Sequence, residues 1–122
     1  MIDPLARPLR LPCGAVLPNR LCKAAMTEGV ADSLLRATSR HETLYRGWSE
    51  GGAGLLLTGN VQIDRHDLER PGNVAIDISD PRTTSPEARG RLAAWARAGT
   101  KAGNHLLTDD EIHAVVRSFA TP

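Results

Sequence analysis

Aromatic side chains are scarce. The 122 residues hold four, 3% of the chain: Tyr45, Trp48, Trp95 and Phe119. A core must therefore be assembled from Leu, Val, Ile and Ala, and too few rings exist for a platform that stacks single-stranded nucleic acid. An excess of charge is also missing. Lys and Arg number 15 against 14 Asp and Glu, leaving +1. Nothing pulls the chain toward phosphate backbones or anionic lipid, so neither nucleic acid nor membrane is expected as a partner. Long apolar runs are absent too. The run Leu55-Leu56-Leu57 has the length of a strand, and no run approaches the roughly 18 residues of a membrane span. Pro4, Pro8 and Pro12 break up the N-terminal stretch, which does not read as a secretory signal. The two cysteines, Cys13 and Cys22, match no zinc or redox spacing, and a cytoplasmic setting with free thiols is expected. His41, His66, His105 and His113 show no metal-ligand spacing either. Gly51, Gly52 and Gly54 do not form GxGxxG, and they precede an apolar run instead of opening a helix. They read as a turn and not as a phosphate loop.

What is present is ordinary for one globular domain: 41% hydrophobic and 24% charged residues. Two short apolar arms flank Cys13-Gly14 over residues 9–17, which predicts a small hairpin with Pro12 at its edge. The segment Leu21 to Met26 reads as a short strand, with Cys22 inside it as a buried thiol. After a polar stretch over 27–38, Ser39-Arg40-His41-Glu42 fits a capping box. A helix follows with Leu44, Tyr45 and Trp48 on one stripe and His41 on the surface. Gly51-Gly52 closes it. The continuous run Ala53 to Gly59 then reads as a strand covered on both faces. Strand, helix, strand with tight connections is a βαβ unit, which predicts parallel pairing. Asp64 to Arg70 reads as an exposed charged loop, and Val74 to Ile78 as a short extended piece. Ser85-Pro86-Glu87 starts a second helix, with Leu92, Trp95 and Ala96 as its inner face and Gly99 or Gly103 at its end. Thr108-Asp109-Asp110-Glu111 is a further capping box, leading a helix over 108–119 with Ile112, Val115, Val116 and Phe119 on one face.

Several of these segments together resemble a known family. Asn19-Arg20-Leu21, then Ala25-Met26-Thr27, then Trp48-Ser49-Glu50-Gly51-Gly52-Ala53-Gly54-Leu55-Leu56-Leu57-Thr58-Gly59-Asn60-Val61 are similar to the N-terminal part of the Old Yellow Enzyme-type NADH:flavin oxidoreductases. Arg70-Pro71-Gly72-Asn73 and Leu92-Ala93-Ala94-Trp95 continue the match, which runs from about Pro8 to His105. The resemblance implies an α/β fold that is part of a (β/α)8 TIM barrel: an N-terminal hairpin and the first βαβ units. It implies FMN as cofactor, NADH or NADPH as reductant, and an activated alkene or similar small molecule as acceptor. It implies that Ala25, Met26 and Thr27 line the flavin, that Thr27 tunes the ring, and that Asn60 contacts it largely through backbone. From the residues alone, Met26 reads as core, Thr27 as a turn or cap residue, and Tyr45 as packing.

The resemblance also has a break. A complete barrel takes about 250 residues. In the family, the position of Gly103 to Leu106 leads into a third strand that carries a flavin-binding Gln. Here Leu106 runs directly into Leu107-Thr108-Asp109-Asp110-Glu111-Ile112, which resembles the helix before strand four. The expectation is residues 1–106 as the N-terminal part of the barrel, an internal deletion after about residue 106, residues 107–122 as an amphipathic helix, and C-terminal truncation. Such a chain has uncovered sheet edges and is prone to associate. Two functions follow. One is an FMN-dependent NAD(P)H oxidoreductase by descent, inactive alone. The other is a non-catalytic fragment or interaction module that associates with itself or with another chain.

Overall fold

In the computed structural model, residues 3–100 are described. After a single 3-10 turn at Pro4–Ala6, β1 (Leu9–Arg10) and β2 (Val16–Leu17) form the expected hairpin, antiparallel with Leu9 opposite Leu17. Its turn is held by Gly14 N–H donating to the Leu11 carbonyl at 2.9 Å. The chain continues through β3 (Cys22–Lys23), α1 (Ser39–Glu50) and β4 (Leu55–Leu56). Strands β3 and β4 pair in parallel, Cys22 with Leu55 and Lys23 with Leu56, so the βαβ unit is present. A second parallel pair joins β5 (Val61–Gln62) to β6 (Val74–Ala75). Only its second strand was anticipated, as an extended piece at Val74. A short α2 (Pro81–Thr84) and a longer α3 (Pro86–Ala98) complete the described chain. The described residues thus form an α/β fold with three two-stranded sheets and no closed barrel. The helix expected over 108–119, the boundary at 106, Gly103, His105 and His113 lie outside the described residues.

The core sits where α1 crosses α3 over β6. Tyr45, Leu92, Ala93, Trp95, Val74, Ile76 and Ala37 are buried, and Leu44, Trp48, Leu56 and Val61 pack against them. The scarce aromatics are concentrated here. Tyr45 meets Trp48 and Trp95 edge-on at 5.0 and 5.3 Å between ring centroids, a geometry that the ring quadrupoles favour. The His41 ring lies 4.5 Å from that of Trp95. The inner face of α3 carries Ala93 where Ala96 was expected. Ala93 is fully buried in the core cluster and Ala96 is exposed.

Helix ends follow local chemistry. Ser85 caps α3 as expected, its hydroxyl accepting from Ala88 N–H at 3.2 Å. Gly99 closes the same helix. The start of α1 is one residue earlier than Ser39 and Glu42 suggested. Thr38 is the N-cap, in extended conformation, and its backbone N–H donates to His41 Nδ1 at 3.0 Å. The Thr38 hydroxyl donates to the Val30 carbonyl at 2.9 Å, which anchors the cap to the preceding loop. Packing decides this register. His41 is buried against Trp95 and is not on the surface, so its ring is held where it can reach back. At the other end Gly52 takes φ +100°, the left-handed turn expected from Gly51-Gly52.

The strands correct two further expectations. Cys22 is exposed and not buried. Successive strand residues face opposite ways, and it is Lys23 that points toward α1. The Lys23 ammonium lies 4.7 Å from the Trp48 ring centroid and donates to the Leu57 carbonyl at 2.6 Å. The Leu55–Leu57 run is not covered on both faces. Leu56 packs on the core, whereas Leu57 is exposed.

Candidate functional site at the strand ends

Both strands of the βαβ unit run out into loops on the same side, and the family-matching residues collect there. Asn19 fixes the opposite end. Its side-chain amide donates to the Gly52 carbonyl at 2.6 Å and its oxygen accepts from Leu21 N–H at 3.0 Å, tying the start of β3 to the α1–β4 turn. Beyond β3 the chain passes through Ala25, Met26, Thr27 and Glu28. Beyond β4 it passes through Thr58, Gly59 and Asn60. These two segments lie against each other. A Cβ built on Gly59 would collide with the Met26 carbonyl and the Glu28 carboxylate, so only glycine permits the approach.

Thr27 and Asn60 meet. The Asn60 carboxamide donates to the Thr27 hydroxyl oxygen at 3.1 Å, 33 residues apart in sequence. The Glu69 carboxylate accepts from both, at 3.3 Å from each. Arg70 holds that carboxylate through Nε at 2.7 Å. The Arg70 hydrogen bond, with donors from Asn60 and Asn73 behind it, keeps the Glu69 carboxyl below the usual glutamate range. Arg70-Pro71-Gly72-Asn73 is in turn a built corner. Asn73 Oδ1 accepts from Arg70 N–H at 2.9 Å, and the Gly72 carbonyl accepts from Ala31 N–H at 3.0 Å.

The other two candidate residues are present beside this pair but outside its hydrogen bonds. Ala25 is exposed, and Met26 is 51% exposed, so it is not a core side chain. Leu57, at the exit of β4, is exposed as well.

Three groups escaped the reading of the sequence. Glu28 accepts from Gly59 N–H at 2.7 Å and from the Tyr45 hydroxyl. Tyr45 is therefore more than packing. Burial, with the Glu28 carboxylate beside it, pushes its phenol well above the ordinary value. Glu69 sat in a segment that reads only as a charged loop. The available signal was Tyr45 itself, because a phenol at a core-facing position needs a polar partner.

Elsewhere, Asp77 and Asp80 are buried polar residues. Both are occupied structurally. Asp77 accepts from Ser79 and from Arg65 N–H, and Asp80 pairs with Arg65 at 2.7 Å and with Arg82 at 2.9 Å. Among the described residues no group of three or more His, Cys, Asp and Glu could hold a metal ion. No described helix is long and apolar enough to cross a membrane.

No protein-family model matches the chain. An NADH-dependent flavin oxidoreductase of Neonectria sp. (strain DH2) is 41% identical over 73 residues, 60% of this chain and 10% of the relative. One from Hypocrea jecorina (strain QM6a) is 36% identical over 90 residues, 74% of this chain and 21% of the relative. One from Talaromyces variabilis is 35% identical over 101 residues, 81% of this chain and 23% of the relative. The chain thus spans between a tenth and a quarter of the length of these curated relatives. Among solved structures, a 2-naphthoyl-CoA reductase superposes with TM-score 0.67 at 16% identity, over 79% of this chain and 14% of that one. The Old Yellow Enzyme homologue of Zymomonas mobilis gives 0.65 at 22% identity, over 84% and 26%. In sequence this chain is similar to NADH-dependent flavin oxidoreductases over a short part of their length, and its fold is similar to the matching part of an Old Yellow Enzyme homologue.

Proposed function

We propose that this chain supplies the ring-binding part of an FMN site in an NAD(P)H-dependent oxidoreductase built on a (β/α)8 barrel. The observation that carries the reading is the convergence of the Thr27 hydroxyl and the Asn60 carboxamide at the ends of two parallel strands. Active sites of such barrels form at this end of the strands. The residues fit the ring of a flavin. Two donors, Thr27 Oγ1 and Asn60 Nδ2, flank one point, and the exposed Ala25, Met26 and Leu57 belong to the same two strand exits. Glu69 accepts from both donors. A flavin carbonyl would take the same donors, acceptor for acceptor.

When bound, FMN supplies two-electron hydride transfer between NAD(P)H and an acceptor, here a small activated alkene or similar molecule. The chain's own part is electrostatic. With FMN bound, the Thr27 hydroxyl would donate to a ring carbonyl and would stabilise negative charge there on reduction. Asn60 braces that hydroxyl.

These groups address the ring alone, so we infer that by themselves they hold FMN weakly and that turnover of NAD(P)H needs further residues. The exposed Leu21, Met26, Leu57, Ile63 and Ile78 support association with another chain or a second copy. The exposed free thiols of Cys13 and Cys22 are consistent with a reducing, cytoplasmic setting.

The test is NMR mapping with FMN. Saturable shifts at Met26, Thr27 and Asn60, reduced in Thr27→Val, are expected. Shifts elsewhere, or none, would leave the second reading, a non-catalytic chain that works by association. Sedimentation of the same sample would then show it.

A further inference from the structure

Glu28 takes no part in the donor pair, yet it touches everything that sets it. One oxygen, Oε1, receives both Gly59 N–H, at 2.7 Å, and the Tyr45 hydroxyl. Gly59 immediately precedes Asn60, and Glu28 immediately follows Thr27. The Glu28–Gly59 bond therefore fixes the separation of the two loops one residue away from each donor. Tyr45 fixes Glu28 in turn. It is 2% exposed, wedged between Trp48 and Trp95, and belongs to the helix that crosses from β3 to β4. Its hydroxyl also lies 3.4 Å from the Leu57 carbonyl, at the exit of β4. Core, strand and loop meet at one carboxylate oxygen.

We infer that Glu28, braced by Tyr45, is a positioning residue: it holds the Thr27 hydroxyl and the Asn60 carboxamide at a common point. The inference rests on the flavin-site reading for its consequence, but its geometry can be tested without any flavin. The glutamine analogue keeps an acceptor at the same place and removes the charge. If position is what matters, Glu28→Gln preserves the site and Glu28→Ala does not.

The experiment uses the whole chain. In the absence of FMN, NMR contacts between the Asn60 side-chain amide and Thr27 should be present in the wild type and in Glu28→Gln, and lost in Glu28→Ala. Tyr45→Phe removes one of the two donors and should loosen the contact partway. With FMN added, Glu28→Ala should bind roughly 3–10-fold more weakly, the loss expected for one buried hydrogen bond, with Glu28→Gln near wild type. A Thr27–Asn60 contact that survives in Glu28→Ala overturns the inference, as does equal loss in the Ala and Gln variants. If Glu28→Ala does not fold, Tyr45→Phe decides: an unchanged contact overturns the inference. Failure of the wild type to respond to FMN overturns the flavin-site reading instead, and the FMN-free contacts still decide the role of Glu28.

Discussion

The carbonyl of Met26 faces the α-carbon of Gly59 so closely that no side chain fits between them. The contact joins the exits of β3 and β4 across 33 residues. It is the reason the Thr27 and Asn60 side chains, one residue further along each loop, reach each other.

Gly59→Ala should therefore act on site and stability together. The methyl group would meet backbone, which cannot swing aside as a side chain would. A loss of about 1–3 kcal/mol is expected, as for other overpacking changes. Urea denaturation measures it. An unchanged midpoint would show that the two loops are not in contact.

His41 makes stability depend on pH. Burial lowers its pKa below the ordinary 6.5, against the opposing pull of the Glu28 charge. The folded state thus prefers the neutral ring while the unfolded chain still takes up the proton. Stability is full above about pH 6.5 and falls as pH drops below it toward the folded-state value. The carboxyls with lowered pKa, among them Glu69, Glu87 and Asp77, act at lower pH, below their ordinary values of 4.5, 4.5 and 3.8. Unfolding midpoints between about pH 5 and 7 should slope in the wild type and be flat in His41→Gln.

Trp95 is buried, yet its indole N–H has no hydrogen-bond partner among the described residues. An unpaired buried donor costs about 1–3 kcal/mol, so removing it offsets part of the lost area. Trp95→Phe should cost under about 1.5 kcal/mol, whereas Trp95→Ala should cost about 3–5 kcal/mol by opening a cavity in the core. A large loss in Trp95→Phe, read from the same urea curves, would mean that the N–H does find a partner.

Both thiols are exposed. Cys13 and Cys22 should each react with an aromatic disulfide reagent in the native chain, without denaturant. Slow reaction of Cys22 would place it under cover, as when a second chain packs on the open side of β3.

Much of the local structure was legible. The hairpin around Cys13-Gly14, the βαβ unit closed by Gly51-Gly52 and the Ser85 cap depend on groups a few residues apart, so a short window contains the whole cause. The cap of α1 shows where that stops. Ser39 with Glu42 and Thr38 with His41 both satisfy a capping box. Only the packing of the His41 ring on Trp95, 54 positions away, selects the second. Cys22 and Lys23 make the same point. Alternation says that they face opposite ways, and only the aromatic rings of α1 determine which of them turns inward.

The candidate site divides in the same manner. The sequence by itself determined which residues come to the strand ends: Ala25, Met26 and Thr27 after β3, Asn60 after β4. Motif spacing and strand–turn–helix punctuation suffice for that, because both are written along the chain. Tertiary structure alone decided which of them meet. Thr27, Asn60 and Glu69 share hydrogen bonds, and Glu28 answers to Tyr45 and Gly59, because two parallel strands 4.8 Å or so apart bring distant segments side by side. That proximity is a property of pairing and helix packing, and no stretch of sequence short enough to read contains it.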